Sequence, residues 1–234
     1  MEHVISYLIT GRIPMPEFQP DIERLRRLLQ DLERIRRKAR SERRPIAFAD
    51  LLHGLPVRIV QTEEAFHEAC VHEAGHAMVG HCLADEAESR LLECQVFREA
   101  GMDGSGGRTI MRQIPGRNLG KAAYMAQMTI LLAGIAAEEI VFGDHADGAG
   151  GSDDSDLRQA TLIAATMEVS LGLGDSLVYL TSRQPADVLA RLRSDSLLRQ
   201  TVARTMGMLK SSALSELHER DEQPCSSIGS NDPS

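Results

Sequence analysis

Apolar residues recur at helical spacing over most of this chain and alternate with polar ones in only one short region. Between residues 20 and 42, Ile22, Leu25, Leu28, Leu29, Leu32, Ile35 and Ala39 share one side of a 3.6-residue repeat while arginines fill the others, which predicts an amphipathic helix. Pro45 ends it. Residues 46–53 predict a short second helix closing at the breaker Gly54-Leu55-Pro56, where a linker is expected. A wider apolar stripe of Phe66, Cys70, Val71, Ala74, Ala77, Met78 and Val79 predicts a core-facing helix over 61–83, with Thr62 as its N-cap and Glu63 and Glu64 in its first turn. Residues 92–97 and 108–114 read as two strands of an antiparallel hairpin, separated by the Gly-rich segment 101–107. Asn118 is the candidate cap of a long helix over 119–142 that Gly143 terminates. A loop over 144–152, rich in glycine and acid, leads to a helix over 153–171 ended by Gly172 and Gly174, and further helices are predicted over 186–193 and 196–218. No internal repeat is visible. The expected fold is mainly α with a small antiparallel β-hairpin.

Charge separates the amphipathic N-terminal region from the rest. Residues 21–44 hold ten Arg/Lys against five Asp/Glu, hence +5 of a net −8, which leaves −13 elsewhere and implies two parts in different surroundings. The arginines Arg34, Arg36, Arg37, Arg40, Arg43 and Arg44, with Lys38, lack the interleaved aromatics or motif of a nucleic-acid surface, so no nucleic acid is expected. Cys70, Cys82, Cys94 and Cys225 show no C-x-x-C spacing, and no leader-like segment opens the chain, which together favour a reduced, cytoplasmic setting. The longest apolar run, 122–137, contains Tyr124, Gln127 and Thr129 and stops at Glu138-Glu139, so it reads as a buried core helix rather than a membrane segment. The polar tail 219–234 reads as disordered.

The chemistry is concentrated in His72-Glu73-Ala74-Gly75-His76. On a helix, residues four apart share a face, so both imidazoles can hold one zinc ion while Glu73 leans toward the same ion. Histidines inside an apolar stripe need polar partners, since an unpaired buried polar group costs about 1–3 kcal/mol. A catalytic zinc takes three protein ligands and leaves one position open, and the spacing allows Glu138, His145, or one of Asp153, Asp154 and Asp156 as the third. For Asp147, Asp153 and Asp154 a place in a Gly-rich loop and a helix first turn is the better reading, and His81 and His145 suit an exposed surface.

The motif, the segment Leu131-Leu132-Ala133-Gly134-Ile135-Ala136-Ala137-Glu138-Glu139-Ile140-Val141-Phe142-Gly143 and the segment Ser155-Asp156-Leu157-Arg158-Gln159-Ala160-Thr161 occur in that order. Over residues 66–180 the chain resembles the peptidase domain of the FtsH family, the AAA+ zinc metalloproteases. That resemblance implies His72, His76 and Asp156 as zinc ligands, Glu73 as the catalytic base and Glu138 as a neighbour that orients a ligand histidine. It further implies polypeptide substrates paired along the 108–114 strand, coupling to an AAA+ ATPase, and a hexameric assembly. Residues 1–56 then resemble an AAA+ lid-like helical remnant with linker, 57–218 the zinc peptidase domain, and 219–234 the tail. The chain departs from the family in carrying no G-x-x-x-x-G-K-[ST] segment, in placing Ile135 where arginine is usual, and in lacking a Pro-Arg-Gly element between the strands. Two functions are therefore expected in competition: a zinc metalloendopeptidase, or a non-catalytic zinc-binding module that assembles with or regulates a complete AAA+ protease. A zinc enzyme of another class, with Glu138 as a ligand, is a third.

Overall fold

A computed structural model describes residues 22–54, 59–100, 106–116, 118–152 and 154–221. These fall into two compact units on either side of the boundary between Val57 and Arg58. In the first, α1 (Ile22–Ser41) and α2 (Phe48–Gly54) pack on each other. Ile35 and Ala39 are buried, while Leu29 and Leu32 of the same apolar repeat are exposed. The turn between the helices is held by Arg44, whose guanidinium donates to both carboxylate oxygens of Asp50 at 2.5 Å while Asp50 also accepts the Ala47 N–H. That fork holds the Asp50 carboxyl well below the usual carboxylate range.

The second unit is built from β1 (Ile59–Val60), α3 (Glu63–Cys82), β2 (Ser89–Val96), β3 (Glu99–Ala100), β4 (Gly107–Gln113), α4 (Lys121–Phe142), α5 (Asp156–Thr166), α6 (Pro185–Ser194) and α7 (Ser196–Asp221). A single 3₁₀ turn, Asp147–Ala149, precedes α5, and a π-helical turn, Met167–Leu171, follows it. The architecture is mainly α with a small antiparallel sheet. β2 and β4 pair from Ser89↔Gln113 to Val96↔Gly107, with a bulge between Leu91 and Glu93 that absorbs the extra residue of β2. β1 and β3 make a second, two-residue pairing that the alternation pattern does not show.

Helix α4 is the axis of the packing, because α3, α5 and α7 all lie against it. Small residues make the closest crossing possible: a Cβ on Gly75 of α3 would overlap the Ala133 carbonyl and Ala137 of α4. Met128, Leu132, Val169 and Val188 are fully buried on the α5–α7 side, while Val79, Ala133, Ala136 and Ala213 fill the side toward α3. Lys210 of α7 pairs with Glu139 of α4 at 2.7 Å, so Glu139 ties two helices together.

Several expectations change at the element ends. Asn118 does not cap α4, whose N-cap is Gly120 with no side-chain hydrogen bond; the chain turns into the helix two residues later than the apolar pattern indicates. Gly143 does end it, at φ 80°. The next helix starts at Asp156 from Ser155, and Asp153 lies outside the described residues. In α3 the buried face runs through Val71, Gly75, His76 and Val79, and Met78 points to solvent, so the stripe is narrower and richer in glycine than expected. Helix α7 continues to Asp221, past the expected end at 218; residues 222–234, with Cys225, lie outside the described set, as do 101–105 and the Leu55-Pro56 breaker. By length and composition α4 is long and apolar enough to cross a membrane, but 61% of its apolar window is buried within the protein. It serves here as the core helix.

Candidate metal centre

Helix α3 begins where Thr62 accepts the Ala65 N–H, and this start fixes which of its residues meet α4. His72 and His76, one turn apart, point toward α4 and the first turn of α5. Their Nε2 atoms are 3.0 Å apart, and each stands 3.3 Å from Asp156 Oδ2. Three donor atoms thus form a nearly equilateral triangle. A tetrahedral ion with bonds of about 2.0–2.1 Å separates its ligand atoms by about 3.3–3.4 Å, so two imidazole nitrogens and one carboxylate oxygen at these separations fit zinc. Among the described residues, His72, His76 and Asp156 are the one group of three or more such side chains whose donor atoms converge, all within 4.8 Å.

The opposite nitrogens of the two rings are committed elsewhere. His72 Nδ1–H donates to Glu138 Oε1 at 2.6 Å, and Glu138 Oε2 accepts the Ala146 N–H at 2.7 Å. His76 Nδ1–H donates to the Ile130 carbonyl at 2.7 Å. With each Nδ1 engaged in this way, both Nε2 atoms face Asp156. Backbone spacing serves the same end. A Cβ on Gly134 would overlap the His72 ring, so glycine at this point of α4 gives the imidazole its room.

The charges of these side chains compensate one another. Burial works against a charge on His72, but hydrogen bonds to Asp156 and Glu138 outweigh it and hold the imidazole up at about 9. Burial would raise Asp156, yet its contacts with His72 and His76 hold it well below the usual carboxylate range. Glu138 is lowered too, its burial overcome by His72 and the Ala146 N–H. A cationic ring between two carboxylates stands where a bound cation would place its own charge.

Glu73, 7% exposed, lies on the same helix as the two histidines and is in contact with β4. Thr109 Oγ1 donates to Glu73 Oε2 at 2.6 Å, and a Cβ on Gly107 would come within 2.9 Å of Glu73 Oε1. Neither Thr109 nor Gly107 is evident from the motif. The available signal is their period-two spacing with Met111, which meets Gly80 of the same helix. The Ala146 N–H and the Ile130 carbonyl leave no trace in a sequence at all.

The remaining candidates separate clearly. His81 is exposed, and His145 is exposed with Nδ1 3.1 Å from Glu139. Asp147 lies in the exposed 3₁₀ turn, and Asp154 is exposed one residue before the N-cap of α5. Glu138 reaches His72 through Nδ1, on the side away from the triangle. Ile135, at the position of the unusual apolar residue, is buried in the core beside Leu132 and Ala160, where an unpaired arginine would be costly.

A family model described as Peptidase family M41 matches residues 59–228. The chain is 31% identical over 159 residues to the ATP-dependent zinc metalloprotease FtsH 2 of Sphaerobacter thermophilus, covering 64% of this chain and 23% of that protein. FtsH 3 of the same organism is 35% identical over 108 residues, 46% of this chain and 20% of the relative. The FtsH protein of Methylococcus capsulatus is 28% identical over 176 residues, 72% of this chain and 22% of its own length. This chain therefore spans less than a quarter of each of these relatives.

Proposed function

The chain belongs to peptidase family M41, and from that membership we propose that it is a zinc metalloendopeptidase that hydrolyses peptide bonds of unfolded or delivered polypeptides. The observation that carries the reading is the triangle of His72 Nε2, His76 Nε2 and Asp156 Oδ2 beside a buried carboxylate on the same helix.

Zinc held by His72, His76 and Asp156 would supply the positive charge that polarises a carbonyl and makes water acidic near neutral pH. Glu73 takes the proton of the attacking water on a carboxylate oxygen and returns it to the departing amine nitrogen. Glu138 keeps the His72 ring turned with its Nε2 inward. β4 has a sheet partner on one side only among the described residues, which supports docking of an extended substrate backbone as an added strand; main-chain hydrogen bonds would then dominate recognition. The longer relatives are named ATP-dependent; coupling of this chain to an AAA+ ATPase and assembly into a ring belong to the same proposal. So does a cytoplasmic setting, supported by Cys70, Cys82 and Cys94, which are thiols and not halves of a disulfide.

The test is peptide hydrolysis by zinc-loaded protein and by Glu73→Gln. Loss of the base should lower kcat by at least about 100-fold while one zinc per chain is retained. Zinc-bound wild type that cleaves neither casein nor short peptides, yet co-purifies with a full-length AAA+ protease, would support the assembling module instead.

A further inference from the structure

Glu73 is held from the sheet as well as from its own helix. β4 presents Gly107 and Thr109 two residues apart on one face, and both meet the Glu73 side chain. Thr109 Oγ1 donates its one proton to Oε2 at 2.6 Å, a charge-assisted length, and also lies 3.3 Å from the Glu73 carbonyl. Gly107 leaves the space in which the Cγ and Oε1 lie: a Cβ there would come 2.5 Å from Cγ and 2.9 Å from the Gln95 carbonyl. The strand cannot move aside, since Val96↔Gly107 and Cys94↔Thr109 are paired in the ladder.

We propose that Thr109 is the positioning residue for Glu73, fixing one carboxylate oxygen so that the other is presented as the proton acceptor. A glutamate has three rotatable bonds, and at an exposed site it samples many rotamers. One hydrogen bond from a rigid strand, with a gap beside it shaped for the acceptor oxygen, removes that freedom before substrate arrives. It also gives the substrate-edge strand a second duty. The strand proposed to take up peptide sets the base over it, so backbone docking and proton acceptance share one frame. This inference rests on the peptidase reading above.

The experiment compares wild type, Thr109→Val, Thr109→Ser, Glu73→Gln and the Thr109→Val/Glu73→Gln double variant as zinc-loaded full chains. Valine keeps the shape and removes the donor; serine keeps the donor. Thr109→Val should lower kcat about tenfold at unchanged KM, zinc content and melting temperature, part of the factor that a positioned base supplies. Thr109→Ser should stay within about twofold of wild type, and Thr109→Val should add nothing in the Glu73→Gln background. Calorimetric binding of a peptide hydroxamate reads the same placement without turnover, and should weaken about tenfold in Thr109→Val but not in Thr109→Ser. Inactive wild type that still shows this hydroxamate difference would sink the peptidase reading and leave Thr109's role standing. Equal kcat in wild type and Thr109→Val, a serine variant as impaired as valine, or hydroxamate binding that is alike or absent in both would overturn it.

Discussion

Gly134 carries no side chain because the His72 ring occupies the place where one would begin. Gly134→Ala is therefore expected to keep its helical circular dichroism and to lose at least about tenfold in zinc affinity, measured by competition with a chromophoric chelator. Gly75→Ala meets backbone instead of a ligand. It should cost about 1–3 kcal/mol in urea denaturation, because α3 and α4 must separate. His72 gives a pH prediction whose sign follows from its imidazole being held up at about 9 against an ordinary 6.5. In chelator-stripped protein this stabilisation is fully present below pH 6.5 and is lost as pH rises through 9, so the urea midpoint should contain a component that falls over that window. Zinc must displace the same proton. Calorimetry in buffers of different ionisation enthalpy should then find a proton released near pH 7, with apparent affinity rising toward pH 9.

At the level of elements, the ligand helices are positioned by α4, which supplies the Ile130 carbonyl, the gap at Gly134 and the Glu138 carboxylate along one side. Glu138→Gln should weaken zinc binding about 10- to 100-fold, read by metal competition, since the single amide oxygen cannot accept both the His72 Nδ1–H and the Ala146 N–H. How much of this could be read from the chain follows from the range of each signal. Helices α3 and α4, the two main strands and the histidine pair announce themselves through local periodicity and an i, i+4 spacing. Spacing alone leaves Asp156 unranked among five candidates, because its choice depends on how α5 docks 84 residues away from His72. Thr109 is invisible for a related reason: its partner lies 36 residues away across a strand–helix contact. Gly120 in place of Asn118 as the cap of α4 shows the opposite case, where a strong local preference yields to the path the chain must take.

For the whole molecule, the division at Val57 and Arg58 predicts that a chain beginning at Arg58 keeps a cooperative melt and binds one zinc with the affinity of the full chain, tested by calorimetry on the shortened protein. Casein should be cleaved and a tightly folded domain spared when no ATPase is supplied, as seen by gel electrophoresis over time. The separation of the ligands along the chain has a further effect. His72 and Asp156 stand 84 residues apart, and a metal that joins them ties off a loop as a covalent cross-link would. The chain-entropy estimate for closing such a loop is about 4–5 kcal/mol, a restraint the cell can apply or withdraw through its free zinc level. The melting temperature should climb with added zinc, and amide exchange should slow most across α5, whose first turn supplies Asp156. Availability of a trace metal would thereby set the lifetime of the protein as well as its chemistry.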